Sequence, residues 1–227
     1  MAQKIKTRKA AGVSKRQAGK PVSSNEGGAR AKRAAERREA ILHAALEEFA
    51  ASGFAAARLD DVAKRAGVAK GTIYLYFADK ETLFRELIHM ELTPVVGALI
   101  HAAQADVPVR LFTEQLIEVF VREVYETRRR DVIRLIITEG PRFPAIAEFY
   151  YREVVSRVLE AVRALMRRAI ERGEIKSDVL LRFPQIIPSP AIVAIFWNGL
   201  FDRFEPIDVR ALMRAHFDIL FGNGRLS

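Results

Sequence analysis

The chain has no cysteine among its 227 residues. This absence excludes a disulfide framework, thiolate chemistry and a cysteine-based metal site, and it is typical of a reducing, cytoplasmic location. The four histidines, at positions 43, 89, 101 and 216, are not spaced as metal ligands. The motifs G-x-S-x-G, H-E-x-x-H and the lysine-containing phosphate loop are also missing. We therefore expect no enzyme activity, no cofactor and no metal.

A long hydrophobic run that could cross a membrane is missing as well. The stretch from Phe183 to Phe201 has no charged residue, but prolines at 184, 188 and 190 interrupt its first half. The part that can continue as a helix, residues 191–201, is too short to span a bilayer. We expect this segment to be a buried helix that faces a partner and not the membrane.

The net charge of +9 comes entirely from the first 33 residues. This segment contains ten Lys and Arg residues and one acidic residue, Glu26. Residues 34–227 therefore contain 27 basic and 27 acidic groups, and their net charge is zero. Few large apolar residues occur in this segment, so it is predicted to be disordered in isolation. Three interpretations stay open: a solvated tail, a basic arm that follows DNA and enters its minor groove, or a targeting peptide, although the apolar run of a secretion signal is missing.

Two amphipathic helices are predicted after this segment. The first, residues 34–51, ends at Gly53 and has one apolar face made of Ile41, Leu42, Ala45 and Phe49. The second, residues 59–66, turns Leu59, Val62 and Ala63 inward and places two acids at its positive N-terminus, Asp60 and Asp61.

A third, short helix is predicted to follow a tight turn at Gly67 and to begin near Lys70. Ile73 and Phe77 face inward at a spacing of four residues, which leaves Thr72, Tyr74 and Tyr76 on the outside. Small, basic and aromatic residues on two helical turns make a poor core but suit contact with a DNA backbone and groove. The three helices together have the dimensions of a helix-turn-helix DNA reader.

The same region resembles the tetracycline-repressor (TetR) family of bacterial regulators. The resemblance is carried by about 45 residues with fixed internal spacing: I-L-H-A-A-L-E-E-F at 41–49, G-F at 53–54, D-V-A-K-R-A-G-V at 61–68, A-K-G-T-I-Y-L-Y-F at 69–77 and D-K-E-T-L-F at 79–84. It implies an all-α fold and a homodimer. The expected organisation is a basic arm at 1–33, a helix-turn-helix domain at 34–84 and a larger ligand-binding and dimerisation domain at 85–227.

Two positions depart from the family pattern. Arg58 stands where a Ser or Thr usually caps the second helix, and Ala69 replaces a Ser at the start of the third. Arginine cannot cap a helix, which removes a contribution of about 1 kcal/mol, but its guanidinium grips phosphate strongly. We expect these changes to alter backbone contacts without altering the mode of DNA binding.

The expected DNA contacts divide by chemistry. Phosphates are assigned to the basic residues, with Gly71 allowing close approach of the backbone. Base edges are assigned to Thr72 and Leu75, the latter through thymine methyl groups. The complete expected set is Arg58, Lys70, Gly71, Thr72, Tyr74, Leu75, Tyr76 and Lys80, of which Tyr74 and Tyr76 reach the sugar-phosphate backbone.

The rest of the chain is predicted to be helical throughout, at about 79–105, 112–126, 128–139, 145–172, 191–201 and 208–221. Residues 134–154 resemble a C-terminal subgroup of the family. The last two helices resemble its dimerisation surface, with expected contacts through Ala191, Val193, Ile195, Trp197, Leu200, Leu212, Met213 and Leu220.

The resemblance also implies an effector site among the middle helices, and its apolar residues favour a hydrophobic or aromatic ligand. The expected residues are His89, Phe112, Leu116, Phe120, Leu135, Thr138, Phe149, Tyr150 and Phe196. Each of them is equally compatible with ordinary helix packing. Arg134 and Glu139 are candidates to hold a polar group of the ligand, or to form salt bridges on a helix surface.

The sequence therefore predicts a ligand-responsive repressor that binds a near-palindromic operator as a dimer and is released by a small effector. Two alternatives remain open. One is a ligand-independent DNA-organising protein with the same fold and basic tail. The other is a helical enzyme or ligand carrier with a vestigial DNA domain, against which the intact segment from Lys70 to Phe77 argues.

Overall fold

The structure, a computed structural model, describes residues 24–222, and every regular element in that range is helical. This confirms the all-α prediction. No helix in the described range is long and apolar enough to cross a membrane. The α-helices there are α1 (Ser24–Ala56), α2 (Leu59–Ala66), α3 (Lys70–Tyr74), α4 (Lys80–Gln104), α5 (Val109–Val119), α6 (Arg129–Glu139), α7 (Pro144–Tyr150), α8 (Ser156–Glu171), α9 (Val179–Arg182), α10 (Ser189–Phe201) and α11 (Val209–Phe221).

Helix α1 begins at Ser24, ten residues before its predicted start. The structure differs here from the prediction of disorder, because residues 24–33 are helical. Lys32 lies 4.0 Å from Glu36 one turn later, a spacing that favours the helix. At the other end Gly53 has φ 76° and ψ 156°, which interrupts the helix at the predicted stop. The basic segment at 1–23 lies outside the described residues.

The helix-turn-helix unit forms, but its third helix ends at Tyr74 and is shorter than the predicted two turns. Helix α2 has the predicted bounds, and Gly67 adopts the left-handed conformation that the turn requires (φ 65°). The apolar face of α1 is fully buried. It packs in an aromatic cluster where Phe54 lies 5.3 Å from Phe49, 5.1 Å from Phe84 and 4.7 Å from Phe143 between ring centroids. Phe143 precedes α7, so this cluster joins α1 to the C-terminal helices.

The C-terminal helices also lie close to their predicted positions. Asp79 caps α4 by accepting a hydrogen bond from the Thr82 amide at 2.6 Å, and Asp208 caps α11 through Ala211 at 3.1 Å. The long helix predicted at 145–172 is built from α7, a π-helical segment at Tyr151–Val155, and α8. A second π-helical segment, Phe120–Tyr125, continues α5. Such segments occur often at functional sites.

Candidate nucleic-acid interface and internal cavity

Helix α3 presents one buried face and one exposed face. Ile73 is fully buried, and Phe77, which follows the turn after α3, is 1% exposed, so both face inward as the spacing predicted. On the other side Tyr74 is 51% exposed and Leu75 is 82% exposed. Gly71 is exposed, and a Cβ atom there would meet no described atom within 4 Å. Internal packing therefore does not require this glycine, which fits a close approach by an external partner.

Two basic side chains converge on Asp60 at the start of α2. The Lys70 ammonium donates to Asp60 Oδ2 at 3.0 Å and remains half exposed, and Arg58 Nη2 lies 4.0 Å from the same oxygen. Neither Arg58 nor Ala69 makes a side-chain capping bond, as predicted. Asp60 thus holds two cations beside α3.

Lys80 has a different environment from the one predicted. Its ammonium donates three hydrogen bonds, to the carbonyl oxygens of Phe54 (2.7 Å), Ala55 (3.0 Å) and Ala57 (3.0 Å). It also lies 4.8 Å from the centroid of the Phe54 ring. Burial holds the pKa of Lys80 below its usual value, and nearby Glu139 opposes that shift. Since an ammonium has three donors, a phosphate could bind Lys80 only by replacing one of these bonds, and its assignment to phosphate binding stays a prediction.

Lys80→Met is therefore expected to lower the free energy of unfolding by about 2 kcal/mol, because three carbonyl oxygens at the end of α1 lose their donor. Methionine keeps an apolar stem against Phe54. Lys64→Met is the matched control, since Lys64 is exposed and pairs only with Asp61 among the described residues. Chemical denaturation followed by circular dichroism is the measurement. Unchanged stability together with weaker DNA binding would instead indicate that Lys80 contacts a phosphate.

An apolar cavity of about 160 Å³ lies among the C-terminal helices. Four of the nine predicted effector residues line it: Phe112, Leu116, Phe120 and Tyr150. Both π-helical segments contribute to its wall, through Phe120, Val124 and Val154. Sequence reasoning missed the largest contribution, which comes from one face of α4 whose apolar spacing was visible: Leu92, Val95, Val96, Leu99, Ile100 and Ala103.

The other five predicted effector residues do not line the cavity. His89 is exposed and its ring bonds Thr93 at 3.1 Å, and the Thr138 hydroxyl bonds the Arg134 carbonyl at 3.0 Å. Phe196 is 54% exposed on α10. The fold does not bring these residues to the cavity, because periodicity gives the face of a helix but not which neighbour it meets. Leu135 and Phe149 belong to the packed core or its edge instead.

Of the residues that the structure places around the cavity, Tyr150 is the only one whose side chain carries a hydroxyl. Burial raises the pKa of Tyr150 to about 12, so the hydroxyl stays a donor at neutral pH. Arg134 and Glu139 do not line the cavity and lie 3.3 Å from Asp131 and 3.9 Å from Arg142, respectively. Among the described residues no group of three His, Asp or Glu side chains could hold a metal ion.

Helices α10 and α11 and the segment between them expose seven large apolar side chains, which we call the α10–α11 face: Ile192, Val193, Phe196, Leu200, Phe201, Phe204 and Ile219. Val193 and Leu200 were predicted for a partner surface. Ala191, Ile195 and Met213 were predicted there too, but they are buried within their own chain (8%, 4% and 1% exposed). The Trp197 indole donates to the Glu205 carbonyl at 2.7 Å, which ties it to its own chain.

A helix-turn-helix with an exposed reading helix, followed by helices around an apolar cavity, defines a one-component DNA-binding regulator. Family models agree with this class. Residues 41–87 match the model described as bacterial regulatory proteins of the tetR family, and residues 110–216 match a tetracyclin repressor-like C-terminal domain.

Individual relatives agree as well. The HTH-type transcriptional regulator AcrR of Shigella flexneri is 30% identical over 192 residues, covering 82% of this chain and 88% of its own. The transcriptional repressor BepR of Brucella suis is 34% identical over 151 residues, covering 64% and 71%.

Solved structures share the fold. A SmeT–triclosan complex has a TM-score of 0.69 at 18% identity, over 83% of this chain and 93% of that one. Another SmeT structure, described as the repressor of the Stenotrophomonas maltophilia multidrug efflux pump SmeDEF, has a TM-score of 0.64 at 20% identity, over 81% and 87%.

The chain belongs to the TetR family and is a DNA-binding transcriptional regulator, not an enzyme.

Proposed function

We propose that the protein is a ligand-responsive repressor that acts on the chromosome in the cytoplasm. It binds a near-palindromic operator as a homodimer and leaves it when a small hydrophobic or aromatic effector fills the cavity. The observation that carries this proposal is that one helix, α4, contributes both to the helix-turn-helix region and to the cavity. Its first residue, Lys80, holds the end of α1, and its later residues form a wall of the cavity.

The α3 surface supports the DNA-binding part. Lys70 and Arg58 provide positive charge beside an exposed strip formed by Gly71, Tyr74 and Leu75. Thr72 and Tyr76 are partly exposed beside it and complete the proposed contacts. Two such helices about 34–36 Å apart would enter successive major grooves, which requires a two-fold dimer. The exposed face of α10 and α11 is the surface that we assign to that dimer.

The cavity supports the effector part. Its volume of about 160 Å³ is close to that of a dry cavity of about 150 Å³ that binds benzene. AcrR and BepR are named regulators of transcription, and SmeT holds triclosan, a small aromatic compound. A ligand shifts the equilibrium only if it binds the DNA-free state more tightly than the bound state.

The test begins with a duplex selected from random sequence by the unmodified protein and labelled for fluorescence anisotropy. A neutral apolar probe, 1-octanol, is then titrated into the complex. We expect 1-octanol to release the duplex at a concentration that also saturates the free protein in calorimetry. Saturation without release would contradict the effector role, and coating of any DNA sequence would favour a DNA-organising protein.

Val154→Phe is expected to fill part of the cavity, because Val154 is 7% exposed and lines its wall. The dissociation constant for 1-octanol should rise at least about tenfold, since the added ring takes the volume that the probe needs. DNA binding without the probe should stay within a factor of about two. Val179→Phe, at a residue away from the cavity that is 37% exposed, is the matched control. If both variants bind 1-octanol with equal affinity, the probe binds outside the cavity.

A further inference from the structure

A second depression lies on the outer side of the contact between α4 and α8. Its volume is about 250 Å³, and it shares three residues with the apolar cavity: Ile100, Ala103 and Ala161. Two of these three are alanines, so Ile100 supplies most of the side-chain atoms that separate the two spaces. We call this depression the α4–α8 cleft.

Two arginines and one acid line the α4–α8 cleft. Arg157 and Glu160 are exposed, whereas Arg168 is partly buried. Among the described residues neither Arg157 nor Glu160 has an ion-pair partner within 4.0 Å. The balance of two guanidinium groups against one carboxylate makes the cleft positive by one charge.

Arg168, which lines this cleft, also carries a buried donor without a partner in the described part of the chain. One of its terminal nitrogens donates to the Ala103 carbonyl, near the end of α4. Its Nε is buried and has no hydrogen-bond partner among the described residues. A buried donor without a partner is costly, and such a group often indicates a bound water or ion. Guanidinium groups bind carboxylates and phosphates through paired hydrogen bonds.

We propose that the effector is an amphipathic anion, with its apolar tail in the cavity and its carboxylate or phosphate head in the α4–α8 cleft between Arg157 and Arg168. This inference rests on the proposed function, because it assumes that the cavity is the effector site. To reach the cavity from the cleft, the tail displaces the Ile100 side chain, which otherwise separates the two spaces. Tyr150 does not line the α4–α8 cleft and does not bind the head.

Calorimetry on the full chain separates the two parts of this proposal. The probes share one tail length: 1-octanol, octanoate, octyl phosphate and octylamine. Octanoate or octyl phosphate should bind at least about fivefold more tightly than 1-octanol, and octylamine more weakly than 1-octanol. The stronger of the two anions identifies the head group.

Two substitutions of opposite sign in the cleft complete the test. Arg157→Gln should raise the dissociation constant for the preferred anion at least about fivefold and leave that for 1-octanol unchanged. Glu160→Gln, three residues along the same helix, should lower the anion constant. Both residues are exposed, so neither substitution should disturb folding.

The outcomes distinguish the two proposals. If no probe binds, the cavity is not the effector site and the proposed function fails with it. If 1-octanol binds but the anions bind no more tightly, only the anionic head is overturned. If the anions bind tightly and Arg157→Gln has no effect, the head lies outside the α4–α8 cleft and this inference is wrong.

Discussion

The substitution Phe196→Glu is expected to convert the protein to a monomer and to weaken operator binding by at least about a hundredfold. Val193, Phe196 and Leu200 recur along one side of α10 and are 46%, 54% and 55% exposed. An apolar face of this kind usually marks an interaction surface. Burying a glutamate against a second copy leaves its charge without a partner. The monomer keeps one reading helix and therefore only half of the contacts with a palindromic site.

Sedimentation at micromolar concentration gives the oligomeric state, and anisotropy on the selected duplex gives the affinity. Phe183→Glu is the matched control, because Phe183 is 55% exposed but lies outside the α10–α11 face. It should remain dimeric. A monomeric unmodified protein that still bound the duplex tightly would contradict both the interface and the palindromic operator.

The substitutions Lys70→Ala and Tyr74→Ala are each expected to weaken operator binding at least about tenfold without changing helicity or oligomeric state. Both side chains lie on the exposed side of α3 and contribute little to the core. Lys70→Ala should also reduce the slope of log affinity against log salt by about one, because one phosphate contact is lost. Tyr74→Ala should leave that slope unchanged, since tyrosine is uncharged.

The controls use the same substitutions outside α3. Tyr151 is 58% exposed in the second π-helical segment, and Lys176 is exposed between α8 and α9. Tyr151→Ala and Lys176→Ala should bind the duplex as the unmodified protein does. If Lys70→Ala and Tyr74→Ala also bind it unchanged, α3 is not the DNA-reading helix.

The sequence predicted the burial and exposure of the α3 residues better than the positions of the effector residues, and this difference has a physical cause. Residues of α3 could be assigned from the sequence because local spacing decides which side of a short helix is buried: Ile73 and Phe77 inside, Tyr74 and Leu75 outside. The effector residues depend on how distant helices pack. Phe112 and Phe120 line the cavity, whereas Phe196, with the same apolar side chain, is exposed on another face.

Lys80 shows that local spacing also fails to predict long-range contacts within the helix-turn-helix region, which was otherwise predicted well. Its charge and position suggested a phosphate contact, and only the folded arrangement of α1 against α4 brought three carbonyl oxygens within 3.0 Å of its ammonium. The helices and the buried face of each helix near the N-terminus follow from local periodicity and turn chemistry, and the family was indicated by the resemblance at 41–84; the sequence carries both by itself. The cavity wall, the exposed face of α10 and the role of Lys80 were decided by tertiary packing, because they depend on contacts between residues far apart in the chain.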